Sequence, residues 1–181
     1  ANVLYVTGEE SAQQVKIRAD RVQGGKIPDN LYILSQTDVD IAIAAADKVE
    51  PALVIIDSIQ TLTTQDLAGA AGSLGQVREC SQRLQRYAKS TKTPIILVGH
   101  VTKEGSVAGP KTLEHLVDAV LSMEGDGVYS FRLLRSVKNR FGSTFEVGVF
   151  EMGDEGIVEI PNPSKLFLSQ RQANRPGSAV C

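Results

Sequence analysis

The sequence predicts an α/β domain with a mainly parallel central sheet, helices on both faces and an antiparallel hairpin at the edge. Three observations lead there. Short apolar runs alternate with stretches whose apolar residues recur at helical spacing, which is the pattern of strand–helix–strand units with right-handed crossovers. One run, Pro51 to Ser58, carries five apolar residues up to a single acid, as a strand buried on both faces would. From Val128 onward the pattern changes to alternation, over Tyr129 to Val137 and again over Phe145 to Met152, as in a hairpin with one wet face.

In chain order, Asn2 to Thr7 reads as a first short strand. Ala12, Val15, Ala19 and Val22 then fall on one face of a helix, with Lys16, Arg18, Asp20 and Arg21 on the wet side and Gly24-Gly25 as its stop. Leu31 to Leu34 is a second strand. Thr37 and Asp40 have capping-box spacing and open a helix that runs through Val49. Ala52 to Asp57 is the third strand. Thr61 to Gly75, with three threonines and three glycines, reads as a mobile loop longer than a connector needs.

A long helix from about Gln76 to Ser90 comes next. Its inner face is Val77, Cys80, Leu84, Tyr87 and Ala88, and its outer face Arg78, Arg83, Arg86 and Lys89. Ile95 to Gly99 is the fourth strand and ends at His100. Val101 to Lys111 is a second glycine-rich loop, Val117 to Met123 a further strand, and Asn139 to Ser143 the connection between the alternating runs. Residues 1–168 form one domain, and 169–181, polar with Pro176 and Gly177, reads as a linker.

Composition narrows the function. The 181 residues are 42% hydrophobic and 22% charged, ordinary for a globular domain, and the formal charge of -2 gives no global attraction to nucleic acid. No apolar run reaches membrane-spanning length, and the acidic start at Glu9-Glu10 is unlike a signal peptide. Cys80 and Cys181 are too few and too far apart for a disulfide framework or a zinc site. A reduced, cytoplasmic setting is the simplest expectation.

Three polar residues share one position in this scheme. Glu9 follows the first strand, Asp57 ends the third and His100 ends the fourth. In open α/β sheets the carboxyl ends of the strands are where ligands bind. An acid for Mg²⁺, a glutamate to orient or deprotonate water and a polar sensor of a γ-phosphate are the parts that nucleotide hydrolysis requires. Taken one at a time, structural readings stand beside these. Asp57 can simply end a strand and cap the next turn, Glu9 can favour a helix N-terminus, and His100 can be a satisfied core histidine.

The segments Val-Leu-Tyr-Val-Thr-Gly-Glu-Glu-Ser, Val-Ile-Ile-Asp-Ser-Ile-Gln-Thr, Val-Gly-His-Val-Thr-Lys-Glu-Gly and Lys-Asn-Arg-Phe-Gly occur in that order. With them the chain, over nearly its whole length, resembles the bacterial RadA (Sms) DNA-repair family, whose ATPase core is similar to RecA and to the DnaB helicase. The resemblance implies a RecA-like P-loop NTPase core using ATP and Mg²⁺. It implies a DNA-dependent ATPase and helicase acting in recombinational repair and branch migration, on single-stranded or branched DNA, as a hexameric ring, with a RecA-type recombinase among its candidate partners and no membrane.

Carried over residue by residue, it puts the Walker B acid at Asp57, the catalytic glutamate at Glu9 and a γ-phosphate sensor at His100. Lys138 and Arg140 fall on a Lys-x-Arg pair that reaches a neighbouring subunit's phosphates. From the residues alone these two read as a solvated turn between edge strands. DNA contact is expected of Lys103 and Lys111 in the glycine-rich loop, which by sequence alone is an ordinary loop.

The departures are specific. No Gly-x-x-x-x-Gly-Lys-Ser/Thr occurs, so the first strand and phosphate loop of the family are expected to precede residue 1. The zinc-binding amino-terminal module and the Lon-protease-like domain beyond the linker are likewise absent from these residues. The alternative function is therefore a non-catalytic oligomerisation and DNA-binding fragment. A small-molecule kinase is a third reading, disfavoured by Lys-Asn-Arg-Phe-Gly.

Overall fold

The structure, a computed structural model, describes residues 1–22, 24–25, 27–100, 113–125, 131–153 and 156–162. The chain divides into two compact units, residues 1–118 and 119–181.

In the first unit, β1 (Val3–Thr7), β2 (Leu31–Ser35), β3 (Leu53–Asp57) and β4 (Ile95–Val98) form a four-stranded, all-parallel sheet in the order β2-β1-β3-β4. The connecting helices are α1 (Ala12–Val22), α2 (Val39–Val49) and α3 (Leu74–Thr91). The step from β1 to β2 runs one way across the sheet. The steps from β2 to β3 and from β3 to β4 run the other way. Right-handed crossovers therefore put α1 on one face and α2 with α3 on the opposite face. The expected parallel sheet with helices on both faces is what the chain forms.

The main core lies on the α2/α3 side. Leu4 and Val6 of β1 and Val54 and Ile56 of β3 alternate inward against Val39, Ala42 and Ala46 of α2 and Val77, Cys80 and Leu84 of α3. The period of two in each strand and the 3–4 residue spacing in each helix produce this layer. The opposite face of the sheet is less covered. Leu53 and Ile55 are half-buried and Ile96 is 50% exposed, so β3 is fully buried on one face only, not on both. The reason is that α1 packs mainly beside β2 and buries only Val15.

Two local expectations are corrected. Helix α2 is capped by Asp38, whose carboxylate accepts from the backbone N–H of Asp40 (2.9 Å) and Ile41 (3.4 Å), and not by Thr37. This frees Asp40 to accept from Arg83 and from Thr64. The segment after β3 is no free loop. A 3-10 turn, Ile59–Thr61, succeeds β3, and Ile59 and Leu62 are fully buried. The buried side chain of Gln76 staples the stretch from Thr64 to Leu67. Its amide accepts from Thr64 N (2.9 Å) and donates to Thr64 O (3.1 Å) and to Leu67 O. Arg83, expected on the wet face of α3, is instead largely buried and joins Asp40, Asp66 and Glu79. Three surrounding carboxylates, through hydrogen bonds first, hold its guanidinium pKa above its ordinary value.

The second unit is a four-stranded antiparallel sheet in the order β5-β6-β7-β8: Ala119–Gly125, Phe131–Asn139, Val147–Gly153 and Gly156–Glu159. The alternating runs thus build a sheet of their own, and not a hairpin on the edge of the parallel one. Residues 169–181, expected as a linker, lie outside the described residues. Among the described residues no helix is long and apolar enough to cross a membrane.

Candidate functional site

The parallel register brings the strand ends together. Thr7 pairs with Asp57, and Asp57 with Val98, so Gly8-Glu9, Asp57-Ser58 and Gly99-His100 leave the sheet along one edge. The chain leaving β1 turns towards the α1 face, and the chain leaving β3 turns towards the α3 face. The gap between the ends of β1 and β3 is thus a topological switch point, the place where open α/β sheets hold ligands. Glu9 and Asp57 stand on its two sides.

Each side chain is held by named partners. Ser58, fully buried, donates from Oγ to Glu9 Oε1 at 2.8 Å. His100 Nε2 lies 3.4 Å from the same Glu9 oxygen. Tyr5, two residues before the end of β1, donates its hydroxyl to Asp57 Oδ2. Burial, and then the Asp57 hydrogen bond and charge, raise the Tyr5 phenol well above its ordinary pKa, so it stays a donor. The backbone around the cluster is pinned as well. Gly8 N–H donates to Asp57 O (3.0 Å), Thr61 Oγ1 donates to Ser58 O (2.7 Å), and Gln60 Nε2 donates to His100 O (3.1 Å). A Cβ on Gly8 would sit 2.0 Å from Thr61 Oγ1, so only glycine lets the β1 exit lie against the turn after β3.

Of the residues expected at the site, Glu9, Asp57 and His100 therefore share an edge, and Glu9 contacts both His100 and the residue after Asp57. Lys138 lies in β6, paired with Val120, and Arg140 comes next in the turn, both in the second unit. Lys103 and Lys111 lie outside the described residues. Ser58 and Tyr5 are not among the residues expected from the sequence. A signal for each exists: Ser58 directly follows the acid, and Tyr5 shares its strand parity with Thr7, the register partner of Asp57.

The donor set suits a hard cation. Mg²⁺ is commonly held by one or two carboxylates together with phosphate oxygens and water. Asp57 supplies one carboxylate at the switch point, and among the described residues no cluster of three or more acids, histidines or cysteines offers a closed cage. Residues 1–106 match the family model described as "AAA domain". The chain belongs to the AAA domain family. The "DNA repair protein RadA" of Bacillus subtilis (strain 168) is 51% identical over 179 residues, 99% of this chain, and that of Streptococcus pneumoniae (strain ATCC BAA-255 / R6) is 49% identical over 178 residues, 98% of it. This AAA domain chain spans 39% and 42% of the length of those two relatives. Among solved structures, a KaiC-like protein from Pyrococcus horikoshii OT3 resembles the AAA domain chain with a TM-score of 0.66 at 20% identity, over 88% of this chain and 76% of that one. That likeness concerns the fold.

Proposed function

We propose that this chain is the nucleotide-hydrolysing core of a DNA-dependent ATPase and helicase of recombinational DNA repair, active in branch migration and assembled as a hexameric ring. The observation that carries the reading is the position of Glu9 and Asp57 at neighbouring strand ends on the two sides of the switch point, with Glu9 accepting from Ser58. Asp57 would hold Mg²⁺, which would supply the positive charge that neutralises the phosphates of ATP during transfer. Glu9 orients the attacking water and takes its proton. His100, in contact with Glu9, reports the state of the γ-phosphate. Lys138 and Arg140 reach the phosphates of a neighbouring subunit, a task that suits Arg140 above all, whose permanent, forked cation matches phosphate oxygens. Lys103 and Lys111 meet the phosphates of single-stranded or branched DNA. The similarity to proteins named DNA repair protein RadA supports the repair setting.

The test is ATP turnover of the full-length protein with and without single-stranded DNA. Glu9→Gln should lower kcat by at least about 10²-fold while ATP binding persists. Wild-type turnover in Glu9→Gln would overturn the reading. In mixed rings, Arg140→Ala subunits combined with Glu9→Gln subunits should regain part of the activity if the arginine acts in trans, and Arg140→Lys should not substitute for it.

One observation favours a second reading for these 181 residues taken alone: they contain no phosphate-loop motif. By themselves they would then serve assembly and DNA contact without hydrolysis. Comparing turnover of this segment with that of the full-length protein separates the two.

A further inference from the structure

We propose that Tyr5 is a positioning residue for the cation: its hydroxyl occupies one oxygen of the Asp57 carboxylate and leaves the other for a small octahedral ion such as Mg²⁺. The proposal rests on the reading of Asp57 as the acid that holds Mg²⁺, and the experiment below separates the two.

Strand register makes the contact. Thr7 pairs with Asp57, and Tyr5 pairs with Ile55. Residues two apart on a strand share a face, and so do in-register partners on neighbouring strands. Tyr5 and Asp57 therefore lie on one face of the sheet, offset along it by two residues, about 6.6 Å. This face is opposite the one on which Leu4, Val6, Val54 and Ile56 build the main core. A side chain at position 5 must be long to reach the end of β3. The aromatic body of Tyr5 supplies the reach, and its hydroxyl donates to Asp57 Oδ2. Phenylalanine would fill the same space and donate nothing.

Nearby donors are engaged elsewhere. Ser58 Oγ donates to Glu9 (2.8 Å), Gln60 Nε2 to His100 O (3.1 Å), Thr7 Oγ1 to Glu10 O (3.3 Å) and Arg18 to Glu10. Among the described residues Tyr5 is the one side-chain donor to the Asp57 carboxylate.

The chemical consequence concerns which ion is preferred. The terminal torsion of an aspartate is broad and two-fold, so an untethered carboxylate can offer both oxygens to one cation. Ca²⁺ accepts that two-oxygen mode, whereas Mg²⁺ is smaller and demands near-ideal octahedral geometry. A donor on Oδ2 disfavours the two-oxygen mode and orients Oδ1. A neutral hydroxyl does so without cancelling the carboxylate charge, as a lysine or arginine in its place would. Partners of this kind typically contribute about 10–100-fold to metal affinity or activity.

The experiment measures binding of a fluorescent, non-hydrolysable ATP analogue, mant-AMP-PNP, to the full-length protein in EDTA, in Mg²⁺ and in Ca²⁺. Tyr5→Phe should bind it like wild type in EDTA. In Mg²⁺ its affinity should fall about tenfold, and in Ca²⁺ clearly less, so that the preference for Mg²⁺ shrinks. Unchanged affinity in Mg²⁺ would overturn the proposal, as would an unchanged Mg²⁺-to-Ca²⁺ ratio. An equal loss in EDTA would overturn it too, because the tyrosine would then serve the fold alone. So would the same loss on adding Tyr5→Phe to Asp57→Asn, because the effect would not pass through Asp57. Asp57→Asn itself should lose the tightening that Mg²⁺ gives. If it keeps that tightening, the reading of Asp57 falls and takes the proposal with it. If Asp57→Asn loses it while Tyr5→Phe does not, the reading stands and only the role of Tyr5 is removed.

Discussion

Ser58 Oγ donates a 2.8 Å hydrogen bond to Glu9 Oε1, joining two residues 49 positions apart at adjacent strand ends. The contact exists because Gly8 lies directly against Thr61. The site's geometry therefore depends on a residue without chemistry of its own.

Replacing that residue should be costly. In Gly8→Ala the new methyl would meet Thr61 Oγ1 at 2.0 Å and Thr61 Cβ at 2.5 Å, a clash no rotamer of a β-branched side chain relieves. We expect a loss of about 1–3 kcal/mol in urea unfolding. The double variant Gly8→Ala/Thr61→Gly should recover part of it. Additive losses in the double variant would show that the clash is not the cause.

Gln76 should matter more than a polar residue at a helix start normally does. Its amide satisfies Thr64 N–H and Thr64 C=O in the interior. Gln76→Ala leaves both without that partner, at about 1–3 kcal/mol for a buried polar group. Hydrogen exchange at Thr64 should accelerate strongly, while that of β1 changes only by the global loss in stability. Unchanged protection at Thr64 would remove the staple from the account.

Cys80 predicts a pH dependence. It is fully buried, and burial pushes its thiol up to about 11 from an ordinary 9.0. Below pH 9 the thiol is protonated in folded and unfolded chains alike, and stability is unaffected. Between pH 9 and about 11 the unfolded chain releases a proton that the folded chain retains, so stability falls with rising pH. Chemical denaturation at pH 8 and pH 10.5 should show a decline that is smaller in Cys80→Ala, by on the order of 1 kcal/mol. An equal decline in both proteins would assign it to other groups.

The end of α3 offers a stabilising change. Lys92 holds a left-handed backbone, φ 59°, as the residue after the last turn. A side chain in that region is strained, and glycine is not. Lys92→Gly should raise stability by about 0.5–1 kcal/mol, read as a higher urea midpoint at constant slope. A lower midpoint would mean the lysine has a compensating contact.

Much of this protein was legible in order along the chain. Apolar runs such as Val54 and Ile56 announce strands because burial on a sheet face repeats every second residue. The spacing of Val77, Cys80 and Leu84 announces α3 because a helix face repeats every three to four. Once strands alternate with helices, crossover handedness implies a parallel sheet, and Glu9, Asp57 and His100 are assigned to strand ends by position alone. What the sequence could not contain is lateral order and register. Only the folded sheet sets β1 between β2 and β3, and so makes the gap between Glu9 and Asp57 the switch point. The same holds for Ser58 with Glu9, Tyr5 with Asp57, Gln76 with Thr64, and Arg83 with Asp40 and Asp66. Each joins residues whose separation along the chain carries no periodic signal. Periodicity reports which face a residue takes, whereas partnership across elements is decided by packing, and packing is a property of the whole fold.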